Sequence, residues 1–536
     1  MRGSERDSNI YQALLGLLIV VVLSAGSAGE TTARERGDLS EDQLEQVLGP
    51  AYVDIRTGFS VRPPFGSEII GPGTAATTNS PESISALEEF SKWELLKFPE
   101  SKPLVQFAQE KNHQLLTVHQ LVGKGKMEID KMLEGRENYW KKYPNQAQVR
   151  QRRTDTINNR SAGQLTVSWT NQPEEPNQQI IREALIQQEM DRYFLLTLVS
   201  SGKGDTKTKP ADNLMNMVVR NFECMDRQEQ RQRWEQGRKR AELLLGSLEF
   251  HWLRELMVDE IWYRILKDGR DIGYLQFKGQ LGGDGYLIPV TQATPMTLEI
   301  YELEITVDIQ SYVNNHADAV KLARMLDCGQ GLTNGNGLGG DEAQKIDNTN
   351  LIRVNFNSTL LDAMETEYFF YEYRGGDDNR YRESGEWNKG MLKAVRYDDA
   401  KNPSQSTVET LEVNNNLYLP GVTSHLMGLV LGPEVGLEYV FLRYSNRALR
   451  HYVVRVAGRE ELEMEAAPVG AAQQGRVSRR KISTWYVVGQ AGAEGPIVET
   501  WLDQDGYTLR QRSEGLELLR SSKDNLKKLW PGKIKN

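Results

Sequence analysis

The chain has 536 residues, of which 39% are hydrophobic and 26% are charged. This composition is typical of a globular protein and excludes a fibrous or largely disordered chain. The length exceeds one ordinary hydrophobic core and therefore predicts two domains with connecting segments. The formal net charge of -9 argues against a nucleic-acid-binding protein, which needs a concentrated basic face.

Residues 1–28 have the pattern of a signal peptide or an N-terminal membrane anchor. Their apolar core, Ala13–Leu23, is shorter than the roughly 20 apolar residues that a membrane span needs. Gly26-Ser27-Ala28 then supplies the small residues of a cleavage site. We favour a signal peptide, with an uncleaved anchor as the alternative. Either predicts an exported protein of the periplasm or cell envelope, touching the membrane only through an uncleaved N-terminal segment.

A polar tether, residues 29–50, precedes the first predicted domain, residues 51–226. Gly58–Gly66 is strand-like and ends at a double proline, which cannot continue a ladder. Two helices are predicted from apolar residues at helical spacing, Met127–Tyr143 and Asn213–Met225. The remaining predicted strands are Lys92–Phe98, Gln114–Leu121, Leu165–Trp169 and Glu183–Ser200, the last with a turn at Gln187–Arg192.

The opening Gly58-Phe-Ser-Val-Arg-Pro-Pro64 and the order of these elements resemble the DcrB/PsbP-like family. The resemblance implies an α+β sandwich in which helices cover an antiparallel sheet. It also implies an exported accessory or assembly protein without a shared active site, so no catalytic residues are carried over.

Residues 227–254 are predicted to form a linker helix. Its basic residues, including Arg233, Arg238 and Arg240, precede the apolar Leu243–Leu245. A basic amphipathic helix can lie on an anionic membrane or in a peptide groove. Acidic residues interrupt the basic pattern, however, and favour a solvated helix whose leucines dock onto one domain.

The second predicted domain, residues 255–520, is a succession of strands with period-2 alternation. Asp-Gly turns at Asp268-Gly269 and Asp505-Gly506 mark hairpins at its two ends. So many strands with hardly a helix predict a strongly curved antiparallel sheet or partial barrel. Residues 521–536 are predicted to be a basic C-terminal tail.

The hairpin Trp262–Tyr274, the strand Tyr452–Gly458 and the closing Trp501–Tyr507 resemble the LolA/LolB-like lipoprotein carriers and their uncharacterised exported relatives. That resemblance implies a half-barrel whose concave face holds an acyl chain or an apolar peptide. The insertion at Ala317–Asn350 departs from a simple half-barrel. The predicted fold class is an α+β N-terminal sandwich followed by a mainly antiparallel β half-barrel or curved-sheet domain.

The sequence indicates no catalytic, cofactor-binding or metal-binding residues. Gly335–Gly340 formally matches GxGxxG but lacks the preceding strand of a dinucleotide site, so we interpret it as a loop. The pairs Asp377–Asp378 and Asp503–Asp505 lack EF-hand spacing and are interpreted as turns. The only cysteines, Cys224 and Cys328, fall in different predicted domains, so neither a disulfide nor a closed zinc site is expected.

Three functions remain open. The leading hypothesis is a non-enzymatic exported envelope protein that binds a lipid, an acyl chain or an apolar peptide, with lipid or a lipoprotein as partner. The alternative is a structural or assembly protein that contacts other envelope proteins. A hydrolase would require His425 or His451 beside a carboxylate and a hydroxyl. An apolar cavity lining the sheet would favour the first, and a filled sheet interior the second.

Overall fold

Three antiparallel sheets and five helices make up the described part of the protein in a computed structural model. The structure describes residues 47–70, 103–109, 112–122, 128–170, 178–202, 208–249, 260–267, 269–282, 297–307, 353–361, 366–374, 380–388, 390–397, 406–421, 427–431, 434–445, 448–465, 479–493, 495–531 and 534. After Leu44 the chain forms one compact unit, Glu45–Asn536. The predicted division of that unit around residues 227–254 stays a prediction.

The first sheet has three strands, in the order β1-β2-β10. Its members are β1 (Tyr52–Asp54), β2 (Phe59–Val61) and β10 (Glu223–Cys224). The second has seven strands, in the order β3-β4-β5-β9-β8-β7-β6. They are β3 (Glu68–Ile70), β4 (Val105–Gln109), β5 (Gln114–Val122), β6 (Ala147–Ile157), β7 (Arg160–Thr170), β8 (Gln178–Glu189) and β9 (Arg192–Gly202).

Helix α1 (Ile129–Trp140) covers the seven-stranded sheet. Its apolar side chains pack where a glycine of the sheet leaves room for them. Leu133 and Trp140 are buried against Trp169 and neighbouring side chains of β7–β9. Gly163 of β7 makes this approach possible, since a Cβ there would lie 2.5 Å from Leu133 Cδ1. Helix α2 (Thr208–Arg220) also contacts β8 and β9. The α+β composition expected for this region is confirmed.

Most elements predicted between residues 51 and 226 are present, but some bounds were wrong and several strands were not predicted. The helix predicted at Met127–Tyr143 is α1, and the turn predicted in Gln187–Arg192 separates β8 from β9. The helix predicted to reach Met225 ends at Arg220 instead, because Glu223–Cys224 pairs with β2. Strands β1, β3, β4 and β6 were missed, and the strand predicted at Leu165–Trp169 is the second half of β7. The strand predicted at Lys92–Phe98 lies outside the described residues.

Strand β6 has a polar sequence without clear alternation, which explains why it was missed. Its pairing with β7 is set by the two-residue turn Asn158-Asn159, with φ values of 48° and 62°. Asparagine tolerates this left-handed backbone, and two such residues form the turn that matches the twist of paired strands. The Asn-Asn dipeptide was therefore an available hairpin signal.

The third sheet has 14 antiparallel strands, in the order β18-β17-β16-β15-β14-β13-β12-β11-β24-β23-β22-β21-β20-β19. They are β11 (Glu260–Lys267), β12 (Arg270–Gly282), β13 (Thr297–Val307), β14 (Arg353–Leu361), β15 (Thr366–Arg374), β16 (Arg380–Asn388), β17 (Met391–Tyr397), β18 (Ser406–Glu412), β19 (Glu438–Ser445), β20 (Ala448–Glu465), β21 (Arg479–Ala491), β22 (Ile497–Leu502), β23 (Thr508–Ser513) and β24 (Leu516–Ser521). The predicted antiparallel organisation is confirmed.

The edge strands of this large sheet are β18 and β19, and no ladder joins them within the described residues. A single parallel bridge connects Tyr418, which follows β18, to Leu442 of β19. The sheet is therefore open rather than a closed barrel in the part of the chain that is described. The apolar segment Leu417–Leu431 contains the one-turn helix α4 (Met427–Val430). The insertion Ala317–Asn350 lies outside the described residues.

Two further helices pack against the large sheet. Helix α3 (Arg227–Ser247) corresponds to the predicted linker helix and begins at Asp226, whose side chain accepts a hydrogen bond from Glu229 N at 2.8 Å. It contacts β19, and Leu244 and Leu245 pack against the core of the sheet. Helix α5 (Lys523–Leu529) lies within the segment predicted to be a basic tail, and its Leu526 is buried with Trp262 and Tyr274.

No helix among the residues described here has both the length and the apolar character that crossing a membrane requires. The apolar run at Ala13–Leu23 lies outside the described part of the chain, so the expectation of export stays a prediction.

Candidate functional site

One apolar face of the large sheet is the surface on which the ligand-binding hypothesis depends. Buried side chains from β19 to β22 form it: Tyr439, Phe441, Val454, Val456, Trp485, Val487 and Leu502. Leu417 and Leu419 belong to the same cluster and flank Leu442 at the edge of β19 through backbone hydrogen bonds. Met427 of α4 and Ala241 of α3 complete the cluster. Phe441 is fully buried, and Leu417 and Leu419 are each 1% exposed. We call this set the apolar face, and the protein's own side chains fill it.

Gly428 and Gly506 fix helix α4, which covers part of the apolar face, in place. A Cβ at Gly428 would lie 2.3 Å from the carbonyl oxygen of Gly506, and the reverse approach is equally close. Gly506 has a φ of 89°, a backbone conformation that favours glycine. The Asp505-Gly506 turn thus serves as the docking point for the helix that covers the apolar face.

A buried polar network joins β16, β17 and β18 to β19. Tyr444 donates a hydrogen bond to Glu383 at 2.6 Å, and Arg396 Nε donates to the same carboxylate at 3.1 Å. Arg396 Nη2 also contacts Glu409 at 2.5 Å and Tyr444 at 2.7 Å. Burial and the Glu383 carboxylate raise the pKa of Tyr444, so the phenol stays protonated and acts as a donor. The network fastens edge strand β19 to the other end of the sheet.

A second buried carboxylate lies close to this network. Glu367 of β15 is 1% exposed and accepts hydrogen bonds from Tyr418 at 3.1 Å and from Gly421 N at 2.6 Å. Burial, followed by the Glu367 charge, raises the pKa of Tyr418. The Tyr418 ring also packs on Trp387, with centroids 4.5 Å apart. These contacts hold Tyr418 and Gly421, which precede α4, against β15 and β16.

Paired carboxylates on β20 and β22 form the cluster with the most catalytic character. Glu499 is 2% exposed, and Arg512 binds its two oxygens at 2.9 Å each. Tyr486 donates to the same carboxylate at 2.7 Å, and Trp501 donates to Glu460 at 2.6 Å. Burial raises the pKa of Glu460. Two carboxylates in such different environments are a pattern of acid-base sites, but Glu499 already has three donors and is better explained as a structural ion pair.

His451, one of the two histidines considered for a hydrolase, does not have a catalytic environment. Its ring packs on Trp234 of α3 with centroids 5.0 Å apart. Partial burial, together with the charges of Arg238 and Arg56, lowers its pKa. A histidine between arginines lacks the orienting carboxylate that a catalytic triad requires. His425, the other candidate, lies outside the described residues.

Residues 51–56 pack against β20 and β21 at a third polar site. Arg56 donates to the Gln490 side chain at 2.6 Å and to its carbonyl oxygen at 2.9 Å. A cavity of about 30 Å³ lies beside this contact and is lined by both segments. Pockets for drug-sized ligands occupy about 300–1,000 Å³, so this cavity is too small for such a ligand.

The other sequence motifs add no reactive group within the described residues. Asp503 accepts hydrogen bonds from the backbone of Asp505 at 3.0 Å and Tyr507 at 2.8 Å, as expected of a turn. No cluster of three metal-ligating His, Cys, Asp or Glu side chains occurs in the part of the chain that is described. Gly335–Gly340, Asp377–Asp378 and Cys328 lie outside it.

Comparisons with known proteins give only distant structural likenesses. No family model matches the chain, and no curated protein matches it. Cyanobacterial PsbP (CyanoP) from Synechocystis sp. PCC 6803 is 13% identical, with 37% of this chain and 98% of that chain covered and a TM-score of 0.23. A β-barrel-like protein of domain of unknown function DUF1849 from Brucella abortus is 11% identical, with coverages of 49% and 94% and a TM-score of 0.27.

LpqN, involved in cell envelope biogenesis of Mycobacterium tuberculosis, is 15% identical, with coverages of 23% and 71% and a TM-score of 0.18. A PsbP protein is thus among the structural neighbours, as the sequence resemblance suggested. The LolA/LolB likeness of the large sheet stays a prediction. Similarities at this level carry no argument about what the protein does.

Proposed function

We propose that this protein is a non-enzymatic structural or assembly protein of the cell envelope that acts through its protein surfaces. The observation that supports this proposal is the filled apolar face, where Leu417, Leu419 and Met427 are buried in one cluster with side chains of β19 to β22. Burial of these side chains stabilises each by roughly 1.5–3 kcal/mol relative to exposure. An incoming lipid would have to displace them and replace that stabilisation.

Buried ionic networks support the same proposal. Glu383 with Arg396, and Glu499 with Arg512, tie neighbouring strands together through charges that are largely shielded from water. Removing one partner of such a pair typically costs about 3–5 kcal/mol because the other charge stays buried. Strands cross-linked in this way are suited to presenting a fixed surface to other proteins.

An exposed apolar end of the seven-stranded sheet is a candidate contact surface. Val122 at the end of β5 is 69% exposed, and Met190 in the β8–β9 turn is 71% exposed. Val122 pairs with Arg192 in the ladder between β5 and β9, so the two apolar side chains lie at the same end of the sheet. Exposed apolar side chains that lie close together are typical of protein interaction sites.

Lipid, acyl-chain or apolar-peptide binding is the second candidate. It is favoured by the construction of the cover, in which α4 is a single turn that rests on the Gly428–Gly506 contact. Displacement of this cover would expose Phe441 and Trp485 as an apolar surface on a curved sheet, as in a carrier of the LolA/LolB type. A one-turn helix has few internal hydrogen bonds to hold it.

Native mass spectrometry of the protein, purified without detergent, distinguishes the two candidates. We expect the unliganded mass, unchanged after incubation with vesicles of membrane phospholipid. A reproducible mass increment that extracts as lipid would overturn the structural proposal and support the carrier. The same spectrum reports whether residues 1–28 have been removed.

Photo-crosslinking in intact cells tests the proposed contact surface directly. A photoreactive amino acid at Val122 or Met190 should give a discrete protein adduct. The same substitution at His113, which is exposed before the opposite end of β5, should give none. Equal crosslinking at all three positions, or none at any, would contradict a specific surface at this end of the sheet.

A further inference from the structure

The cavity between residues 51–56 and strands β20 and β21 has a concentration of positive charge. Its lining includes Val453, Arg455 and Val488 from the large sheet and Asp54 and Arg56 from the other side. Two guanidinium groups and one carboxylate therefore line a cavity of about 30 Å³ that also has apolar walls. Apolar walls lower the local dielectric constant and strengthen the interaction of charges with any ion that enters.

Arg455 provides the central observation. Its Nε and Nη1 atoms are both buried and have no hydrogen-bond partner, and no other described residue has two such atoms. Leaving a buried donor unsatisfied costs about 1–3 kcal/mol, and more when the group is charged. Buried polar groups in native proteins almost always have a partner, whether protein, ordered water or an ion.

Two nearby carboxylates, those of Glu438 and Asp54, are already engaged by other donors. Glu438 stands opposite Arg455 in the ladder between β19 and β20, but its two oxygens accept from Arg233 at 3.2 and 2.7 Å. Asp54 accepts from the Arg56 backbone at 2.9 Å and from the Thr57 hydroxyl at 2.7 Å. The Arg455 guanidinium is therefore left without a hydrogen-bonded counter-charge.

Electrostatics within the site agree with this geometry. Burial lowers the pKa of Arg455, and the positive charge of Arg233 adds to this effect, while Glu438 and Glu223 oppose it. Burial likewise lowers the pKa of Arg56. Both arginines thus lie where an additional negative charge would be stabilising.

We propose that this cavity binds a small monovalent anion, of the size of chloride or formate, through Arg455 Nε and Nη1. A cavity needs about 10–15 Å³ to hold one water molecule, so this one accommodates two or three water-sized groups. That space suits chloride or formate and is too small for a phosphorylated metabolite. Because both segments line the cavity, the anion would tie residues 51–56 to the large sheet.

Thermal unfolding of the full chain with sodium chloride and with sodium gluconate at equal ionic strength tests the proposal. Gluconate is too large for the cavity, so chloride should raise the unfolding temperature above the gluconate value, in a saturable manner. Arg455→Met keeps the apolar stem but removes the guanidinium, and it should abolish the difference. Arg480→Met, at an exposed position of β21, should retain it. Equal unfolding temperatures of the wild-type protein in the two salts would show that the cavity holds water alone and would overturn the proposal.

Crystals of the wild-type protein grown with sodium bromide provide a test that does not depend on any variant folding. An anomalous peak within hydrogen-bond distance of Arg455 Nε or Nη1 is the expected result. Its absence from the cavity would refute the site. A bromide peak without a chloride-specific thermal shift would identify an adventitious ion only, and would equally overturn the proposal.

Discussion

Replacing Glu438 with glutamine should loosen helix α3 from the large sheet. Glu438 is 3% exposed on β19, and Arg233 of α3 binds it through two hydrogen bonds. Arg240 of the same helix donates to the Glu438 carbonyl oxygen at 3.3 Å. Between these contacts Gly237 packs on Val440, whose Cγ2 would lie 2.8 Å from a Cβ at position 237. The carboxylate is therefore the charged centre of the helix–sheet contact.

Glutamine keeps the shape of the side chain but removes its negative charge. It also replaces one carboxylate oxygen, a hydrogen-bond acceptor, with an amide NH2 group, which is a donor. Breaking a buried ion pair costs about 3–5 kcal/mol. The Arg233 side chain is 26% exposed and retains part of its hydration, so we expect a smaller cost than for a fully buried pair, about 2–3 kcal/mol. Since 1.4 kcal/mol corresponds to a tenfold change in an equilibrium constant, the opening of α3 should become about 30- to 150-fold more frequent.

Native-state hydrogen exchange read at the amides of α3 measures this opening. Protection should fall across α3 and remain unchanged in the β6–β9 region, because the ion pair joins only α3 and β19. Glu461→Gln is a matched control, since Glu461 pairs with Lys481 on the surface with side chains 66% and 63% exposed. Exposed pairs contribute about 0–1 kcal/mol. Unchanged α3 protection in the Glu438→Gln variant, or an equal effect in the control, would refute the reasoning.

Three other outcomes follow from the burial of single groups. In a Cys328→Ser background, Cys224 should react with iodoacetamide far more slowly in the native protein than in urea. The reason is that burial raises the pKa of the Cys224 thiol to about 12. Equal reaction rates in the two states would contradict this. Burial raises the pKa of Glu460 above its ordinary value of 4.5, so the group contributes stability below that pH and loses it as the pH rises through the folded-state pKa. Glu460→Gln should therefore flatten the dependence of the unfolding temperature on pH above 4.5, and an unchanged slope would argue against this contribution. Leu526→Ala should reduce the free energy of unfolding by about 2–4 kcal/mol in urea titrations. Leu529→Ala, at a position 45% exposed on the same helix, should have a much smaller effect, and similar losses in both variants would contradict the docking of α5.

Short-range patterns were sufficient to predict most elements of the fold. An Asp-Gly turn was predicted between β11 and β12, and Gly269 has a φ of 73°, the left-handed backbone conformation that such a turn favours. Apolar residues at helical spacing predicted α1 within a few residues, and α2 with a shift of about five residues. These signals succeed because turn geometry and side-chain periodicity are properties of a few neighbouring residues. They failed at β6, where the outward-facing residues are charged and the inward-facing ones are not consistently apolar.

The buried charges of the large sheet were not predicted. Glu383 and Arg396 occur in polar stretches that resemble solvated strand faces, and nothing local distinguishes them from exposed residues. Their partner Tyr444 is 61 residues away from Glu383 along the chain. Only the wrapping of β19 against the other end of the sheet brings these groups together.

The sequence by itself determined the strand-rich composition, the hairpin turns and the helix α3, because these depend on local backbone preferences and residue periodicity. Tertiary structure decided which surfaces are covered. Leu417 and Leu419 belong to an apolar stretch of the sequence, and the structure buries them in the apolar face that the ligand-binding hypothesis needed to be open. Likewise Arg233 meets Glu438 across 205 residues, and Arg455 Nε and Nη1 are buried without a hydrogen-bond partner. Such contacts arise from the closure of long loops around a shared core, and they leave no pattern in any short stretch of sequence.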